Sequence, residues 1–142
     1  MNPKAYSVSL DKNKLQLDVI HAFLTTSYWS PGIPRATVEH GIANSLCSAA
    51  FADADGAQVA FARLITDHAT FGYLADVFVL PEHRGHGLGA AVVHVLLDLP
   101  EVRAMRRLML ATRDAHSLYE RMGFERIENP EPFMQILRKN IY

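Results

Sequence analysis

The chain contains one cysteine, Cys47, so no internal disulfide can staple it and burial alone must hold its core. Cys47 lies in an apolar run, where a buried, inert thiol is expected rather than a nucleophile. An excess of charge is also missing. Against 15 Asp and Glu stand 14 Lys and Arg, and a formal net charge of −1 gives nucleic acid no reason to bind. No apolar run approaches membrane-spanning length, and Lys4, Asp11, Lys12 and Lys14 interrupt any apolar stretch that a secretion signal would need. The expectation is a cytoplasmic protein with neither membrane nor nucleic-acid partners. Seven histidines are present, but none has an acidic partner at a ligand spacing on one helix, so no metal is expected.

What is there fits one domain over residues 1–142, long enough to bury a core and free of repeats, linkers and low-complexity stretches. A short strand is expected at 7–10. Leu17, Ile20 and Leu24 recur at helical spacing and predict a helix over about 16–27, which Pro31, Gly32 and Pro34 cannot continue. Val38 and Ile42 mark a second, shorter helix. Residues 46–52 read as a strand, Asp53 to Gly56 as a turn, and Val59, Phe61 and Ile65 alternate in a second strand. A third follows at 71–80, with Tyr73, Val77 and Val79 expected on one face and Leu74, Asp76 and Phe78 on the other. Leu88, Val92, Val95, Leu96 and Leu99 then trace one side of a helix that Pro100 ends. Another strand is expected at 108–111, then a helix capped by Thr112 or Asp114 and running through Met122 to Gly123. Closing strands are expected at 124–127 and 133–137, separated by Pro130 and Pro132. Strands first and alternating helices and strands afterwards imply an α/β mixed sheet with helices on its faces.

Between the third strand and its following helix lies the most specific stretch, Pro81, Glu82, His83, Arg84, Gly85, His86, Gly87, Leu88, Gly89. Three glycines at alternate positions permit positive φ and leave no Cβ between the main chain and a ligand. Such a turn feeding a helix aims several N–H groups and the positive end of the helix dipole at one spot, which suits phosphate or pyrophosphate. Arg84 adds a charge there. A loop that needs glycine only to turn tightly would read the same way. No Lys-Ser or Lys-Thr pair follows the last glycine, so this is not a Walker-type loop, and the glycine spacing does not match a dinucleotide fingerprint. His83 and His86, flanking the turn, are expected to be solvated or ligand-facing.

Val79, Pro81, Arg84, Gly85, Gly87 and Gly89 resemble the acyl-CoA-binding signature of the GNAT superfamily of N-acetyltransferases, and Leu118, Tyr119, Glu120, Arg121, Met122, Gly123, Phe124 resemble its downstream Leu-Tyr plus Gly-Phe segment. The resemblance implies a GNAT-like fold, with a mostly antiparallel sheet of about six to seven strands flanked by about four helices. It implies acetyl-CoA as donor and a gap between the strand of Asp76 and the strand of Leu108. Cofactor contacts would fall to Phe78, Val79, Arg84, Gly85, His86, Gly87, Leu88 and Gly89. Thr112 stands where the family often has asparagine, with Asp114 nearby. An arginine among Arg103, Arg106 and Arg107 could meet the 3′-phosphate, although a solvated connection explains that cluster equally. Family members are often dimers, so a homodimer is implied as well.

Three chemical demands sort the remaining candidates. The leaving thiolate needs an acid, and the resemblance gives that role to Tyr119, which core packing beside Leu118 and Met122 would also explain. The oxyanion needs a donor, implied to be a main-chain N–H near Phe78 or Val79 at a strand irregularity. The amine must lose a proton, and an alkylamine of pKa near ~10.4 costs roughly 4 to 5 kcal/mol to deprotonate at neutral pH. Where some relatives carry Leu-Glu-Asp this chain has Leu74, Ala75, Asp76. Asp76 then acts through water, orients the amine, or is structural. Tyr28 and Trp29, on the connection between the first two helices, either line the acceptor pocket or cap the core. The expected function is acetyl transfer from acetyl-CoA to a primary amine of a small molecule. The alternatives are a non-catalytic acyl-CoA-sensing module, which Ala75 favours and Tyr119 disfavours, and transfer to a protein lysine or N-terminus.

Overall fold

The computed structural model describes residues 5–142. Along the chain run β1 (Tyr6–Ser9), α1 (Leu17–Leu24), α2 (Arg35–Ala43), β2 (Ser45–Ala52), β3 (Gln58–Thr66), β4 (Phe71–Val79), α3 (Leu88–Leu97), α4 (Pro100–Arg103), β5 (Arg107–Leu110) and α5 (His116–Glu120). One sheet holds the strands in order β1-β2-β3-β4-β5, antiparallel up to β4 and parallel between β4 and β5. The mixed architecture is the expected one, but among the described residues the sheet has five strands rather than six or seven. Residues 124–127 and 133–137, read as closing strands, form no ladder.

The antiparallel part is closed by turns whose chemistry is local. Gly56 takes φ 71° in the β2–β3 turn, and the Asp67 carboxylate accepts from the N–H groups of Ala69, Thr70 and Phe71 in the next. Both faces of β3 are covered, so its residues are buried nearly throughout and it reads as an apolar run. On one face α3 lays Leu88, Val92, Val93 and Leu96 against Ala50, Val59, Ala60, Ala62, Leu64 and Leu74. Each aliphatic side chain buried there contributes about 1.5 to 3 kcal/mol. Small residues in β2 let the helix come close, and the buried Ser48 hydroxyl donates to the Val92 carbonyl at 2.6 Å. The other face packs Ile20 and Leu24 of α1, Ile33 and Val38 against Cys47, Phe61 and Phe78. Burial pushes the Cys47 thiol up to about 11, which leaves it protonated and unreactive near neutrality.

Strict alternation fails in β4. Phe78 pairs with Phe61, and Ala75 pairs with Arg63, so Ala62 faces two residues and β4 carries a bulge at Asp76 and Val77. Asp76 has φ 58°, left-handed backbone that a non-glycine residue rarely adopts. The bulge resets the faces. Leu74, Val77 and Val79 pack into the cluster beneath α3, while Asp76 reaches Arg63 on the opposite face, with Phe78. Asp76 therefore shares the side of Ala75 rather than opposing it, and Leu74 does not share a face with Phe78. The irregularity also falls two residues before its expected place at Phe78 or Val79.

Candidate active site

β4 and β5 stay paired only from Phe71 with Arg107 to Leu74 with Leu110. Beyond that, β4 bulges away and β5 stops, so the sheet opens. A cavity of about 390 Å³ fills the gap, bounded by Ala75, Asp76 and Val77 on one side and by Thr112, Asp114 and Tyr119 on the other, with Tyr28 and Trp29 above. This one space gathers six residues that the sequence singles out from three separate stretches.

Asp76 is held at both carboxylate oxygens. Arg63 Nε donates to one at 2.8 Å and Trp29 Nε1 to the other at 2.9 Å. The pair is nearly dry, with side chains 19 % exposed for Arg63 and 9 % for Asp76. Arg63 continues through Nη1 to Ser45 Oγ at 3.0 Å, and Ser45 donates to the Gly41 carbonyl at 2.8 Å. Gly41 makes room for this chain: a Cβ there would stand 3.2 Å from Arg63 Nη1. A carboxylate so engaged suits fixing the bulge and Trp29 better than accepting a proton from an incoming amine.

Trp29 lies beside Phe23 and meets Tyr28 edge-on at 5.0 Å, while Phe23 stacks on Phe78 at 4.2 Å. The aromatic connection thus continues core packing outward and still faces the cavity. From the opposite wall, the Arg113 guanidinium lies 3.9 Å from the centroid of Tyr28. That cation–π contact joins the α1–α2 connection to the β5–α5 connection. Arg63 and Arg113 are the two site residues the sequence reading missed. Arg63 had one signal, a charge inside the apolar run Phe61, Ala62, Arg63, Leu64, and Arg113 had none beyond its place between Thr112 and Asp114.

Tyr119 sits on α5, which is shorter than expected at His116–Glu120. Thr112 organises its start, its hydroxyl oxygen accepting from the Ala115 N–H at 3.1 Å. Gly123 closes the segment at φ 100°, and the Phe124 N–H returns to the Tyr119 carbonyl at 3.1 Å. The Tyr119 ring meets Phe124 edge-on at 5.9 Å. Burial, and to a lesser extent Tyr28, raise its pKa above the ordinary phenol value, which keeps it protonated and able to donate near neutrality.

At the far end of β4, Leu80 N–H donates to the Val59 carbonyl at 2.8 Å. By the strand's period of two, Val79 turns its own N–H and carbonyl toward the opened edge. Arg84 Nε donates to that carbonyl at 3.1 Å, tying the entry of the glycine turn to the strand. Gly85 and Gly87 have φ 86° and 73°, and a Cβ on either would meet nothing within 4 Å, so the turn needs glycine for backbone conformation and leaves open space before it. Gly89 has an ordinary φ, and its Cβ would rest 3.7 Å from Val79. Among the described residues, no main-chain N–H from Gly85 to Ala90 donates to a main-chain carbonyl, the first being Ala91 to Gly87 at 3.0 Å. These donors at the start of a ten-residue helix fit a pyrophosphate. Leu88 and Phe78 bury their side chains, so main chain is what they present to a ligand, while Val79 is half-buried. His86 and His83 both lie half-buried, His86 5.6 Å from the Tyr6 ring, and His83 Nδ1 shares a 2.8 Å hydrogen bond with the Tyr6 hydroxyl.

A mixed sheet opened between two parallel strands, with unpaired main-chain N–H donors at the end of one and a phenol beside the other, is an arrangement suited to acyl transfer from acyl-CoA. The model of the Acetyltransferase (GNAT) family matches residues 17–124, and the chain belongs to that family. It is an acetyltransferase, and the family uses acetyl-CoA. A GNAT-family protein of known structure from Xanthomonas campestris pv. campestris is 44% identical, covers 96% of each chain and superposes with a TM-score of 0.91. A Gibberella zeae protein named as an acetyltransferase is 33% identical over 133 residues, which are 80% of this chain and 75% of that one. The fold is shared with Rv2747 of Mycobacterium tuberculosis, solved with CoA, at 23% identity and a TM-score of 0.70 over 86% of this chain and 73% of that one.

Proposed function

We propose that this acetyltransferase acts on a primary amine of a small molecule, by direct transfer with donor and acceptor bound together. The observation that carries this reading is the cavity between β4 and β5. At about 390 Å³ it falls within the range of small-molecule sites, and the Arg113–Tyr28 contact bridges two of the connections that line it. Acetyl-CoA supplies the activated acetyl group.

Each residue then has a task. The N–H groups of Gly85 to Ala90 hold the pyrophosphate, with Arg84 beside them. The Val79 N–H faces the opened strand edge, where it donates to the thioester oxygen as that oxygen gains charge. As the C–N bond forms and the C–S bond breaks, Tyr119 gives its proton to the leaving sulfur. Asp76 is a positioning residue that holds the bulge and Trp29. Proton removal from the amine is assigned to solvent in the cavity, since Arg63 and Trp29 hold the Asp76 carboxylate in its positioning role. Tyr28 and Trp29 form the acceptor wall.

A panel of small amines tested for acceptor-dependent thiol release from acetyl-CoA examines this. Release with one or more primary amines is expected. Release only with peptides, after a broad amine panel stays silent, would overturn the assignment of acceptor class.

A further inference from the structure

The glycine turn does little to hold its own donors in place. Gly85 and Gly87 take positive φ with open space around them, and among the described residues their N–H groups reach no main-chain carbonyl. Backbone so permissive takes its shape from whatever anchors it on either side. The exit is anchored by Leu88, buried in the cluster beneath α3. The entry is anchored by Arg84 on the Val79 carbonyl and, from the opposite edge of the sheet, by Tyr6.

Tyr6 is itself well fixed. It opens β1 in register with Ala52, the preceding Ala5 carbonyl accepts from the Asp53 N–H at 2.7 Å, and its ring packs against the α3 cluster. From there it touches both histidines of the turn. Its hydroxyl lies 2.8 Å from His83 Nδ1, the residue that ends the single 3-10 turn Pro81–His83, and its ring meets the His83 ring edge-on at 5.7 Å. The same ring lies tilted, 5.6 Å from the ring of His86, which stands between the two left-handed glycines. One phenol thus braces the turn at its entry and at its middle.

We infer that Tyr6 is a positioning residue for the donor, an inference that rests on the proposed seating of the pyrophosphate at this turn: its hydroxyl and ring aim the N–H groups of Gly85, His86 and Gly87 without touching acetyl-CoA. Packing against α3 would be served by any ring at this position. The hydroxyl is what packing does not need. Its bond to His83 fixes the 3-10 turn, and the contact with His86 limits how far the neighbouring peptide groups swing about their soft φ. Donors ordered in advance bind a charged group without the cost of ordering them on binding.

Tyr6→Phe keeps the ring and removes the hydroxyl, so it isolates the bond. Phosphorus NMR of CoA at saturation on the full chain, with calorimetry on the same variants, separates the pyrophosphate from the 3′-phosphate. In the wild type the two pyrophosphate resonances should be displaced from their free positions. In Tyr6→Phe they should leave the wild-type bound positions while the 3′-phosphate resonance stays, and CoA affinity should fall about three- to tenfold. His83→Ala removes the same bond from its other end, so the double variant should bind CoA no more weakly than the weaker single variant. Pyrophosphate resonances that ignore binding in the wild type would overturn the seating of the pyrophosphate, and the role of Tyr6 with it. Where they do respond, bound resonances unchanged in Tyr6→Phe, or an affinity within twofold of wild type, would refute the role of Tyr6 alone. Additive losses in the double variant would refute it too. Should Tyr6→Phe fail to fold, the resonances and affinity of His83→Ala decide by the same criteria.

Discussion

At its end, β4 meets the glycine turn, where the groups offered to a ligand are main-chain N–H donors at Val79 and from Gly85 to Ala90, whereas midway along it the cavity is bounded by the side chains of Asp76, Trp29, Tyr28, Arg113 and Tyr119. The first region is contiguous in sequence and depends on φ at two glycines. The second draws on three stretches of chain and depends on contacts across them. Main chain can hold what every member of a family shares, because any sequence that adopts the turn presents the same donors. Side chains brought from separate elements can change one at a time, and on the proposed reading that is where the acceptor is chosen.

The largest effect should come from the main-chain region. Gly87→Val forces a β-branched residue to φ 73° and disturbs donors to a charged group, together about 3 kcal/mol or more. Acetyl-CoA affinity should fall on the order of 100-fold or more by calorimetry. Gly89→Ala is the contrasting change: its Cβ makes an ordinary contact and alanine favours helix, so the melting temperature should hold or rise. Equal losses of fold in both variants would remove the distinction between a conformational requirement and general tight packing.

Next in size is Tyr119→Phe, which should lower kcat about 100-fold, the lower end of general-acid effects, while acetyl-CoA affinity stays nearly unchanged. Because burial raises the Tyr119 pKa, its donating form persists to higher pH than an exposed phenol's, and the alkaline fall in kcat should begin above the ordinary tyrosine value. That limb should be absent in the phenylalanine variant. A variant with full turnover, chemistry being rate-limiting, would return Tyr119 to core packing.

Asp76 separates the two regions more finely. Asp76→Asn keeps an acceptor oxygen and tolerates left-handed backbone, so kcat should stay within about tenfold of wild type. Loss of a true general base costs about 10²- to 10⁴-fold. Asp76→Ala instead strands the Arg63 charge and should cost about 3 kcal/mol in denaturant unfolding. A collapse of kcat in the asparagine variant, with its stability intact, would make Asp76 the base. The smallest effect belongs to Arg113→Ala. Loss of an exposed cation–π contact worth about 0.5 to 1 kcal/mol should raise the acceptor KM about threefold and leave acetyl-CoA binding alone.

What the sequence made legible follows the same division. The glycine turn, the helices with apolar residues at three- and four-residue spacing, and the antiparallel strands β1 to β4 are encoded within a few residues of themselves. So is the gap beside Leu110, once two motifs in order imply the family. The faces of β4 were misread because period two assumes an unbroken ladder, and a single extra residue opposite Ala62 inverts everything on one side of it. Nothing local announces that bulge. Its causes are Arg63, thirteen residues earlier, and Trp29, forty-seven residues earlier, both meeting one carboxylate. Residues 133–137, expected as a strand, form no ladder, since an apolar run records a preference for burial and not a partner strand.

Trp29 is the only tryptophan in the sequence. Its indole nitrogen is bonded to Asp76, its ring lies among Phe23 and Tyr28, and it lines the cavity between β4 and β5. The molecule therefore carries a built-in optical reporter beside the cavity proposed to take the acceptor. Emission from that one fluorophore should respond when an amine enters the cavity, so that candidate acceptors can be ranked by titration under a lamp, with no donor present and no turnover required.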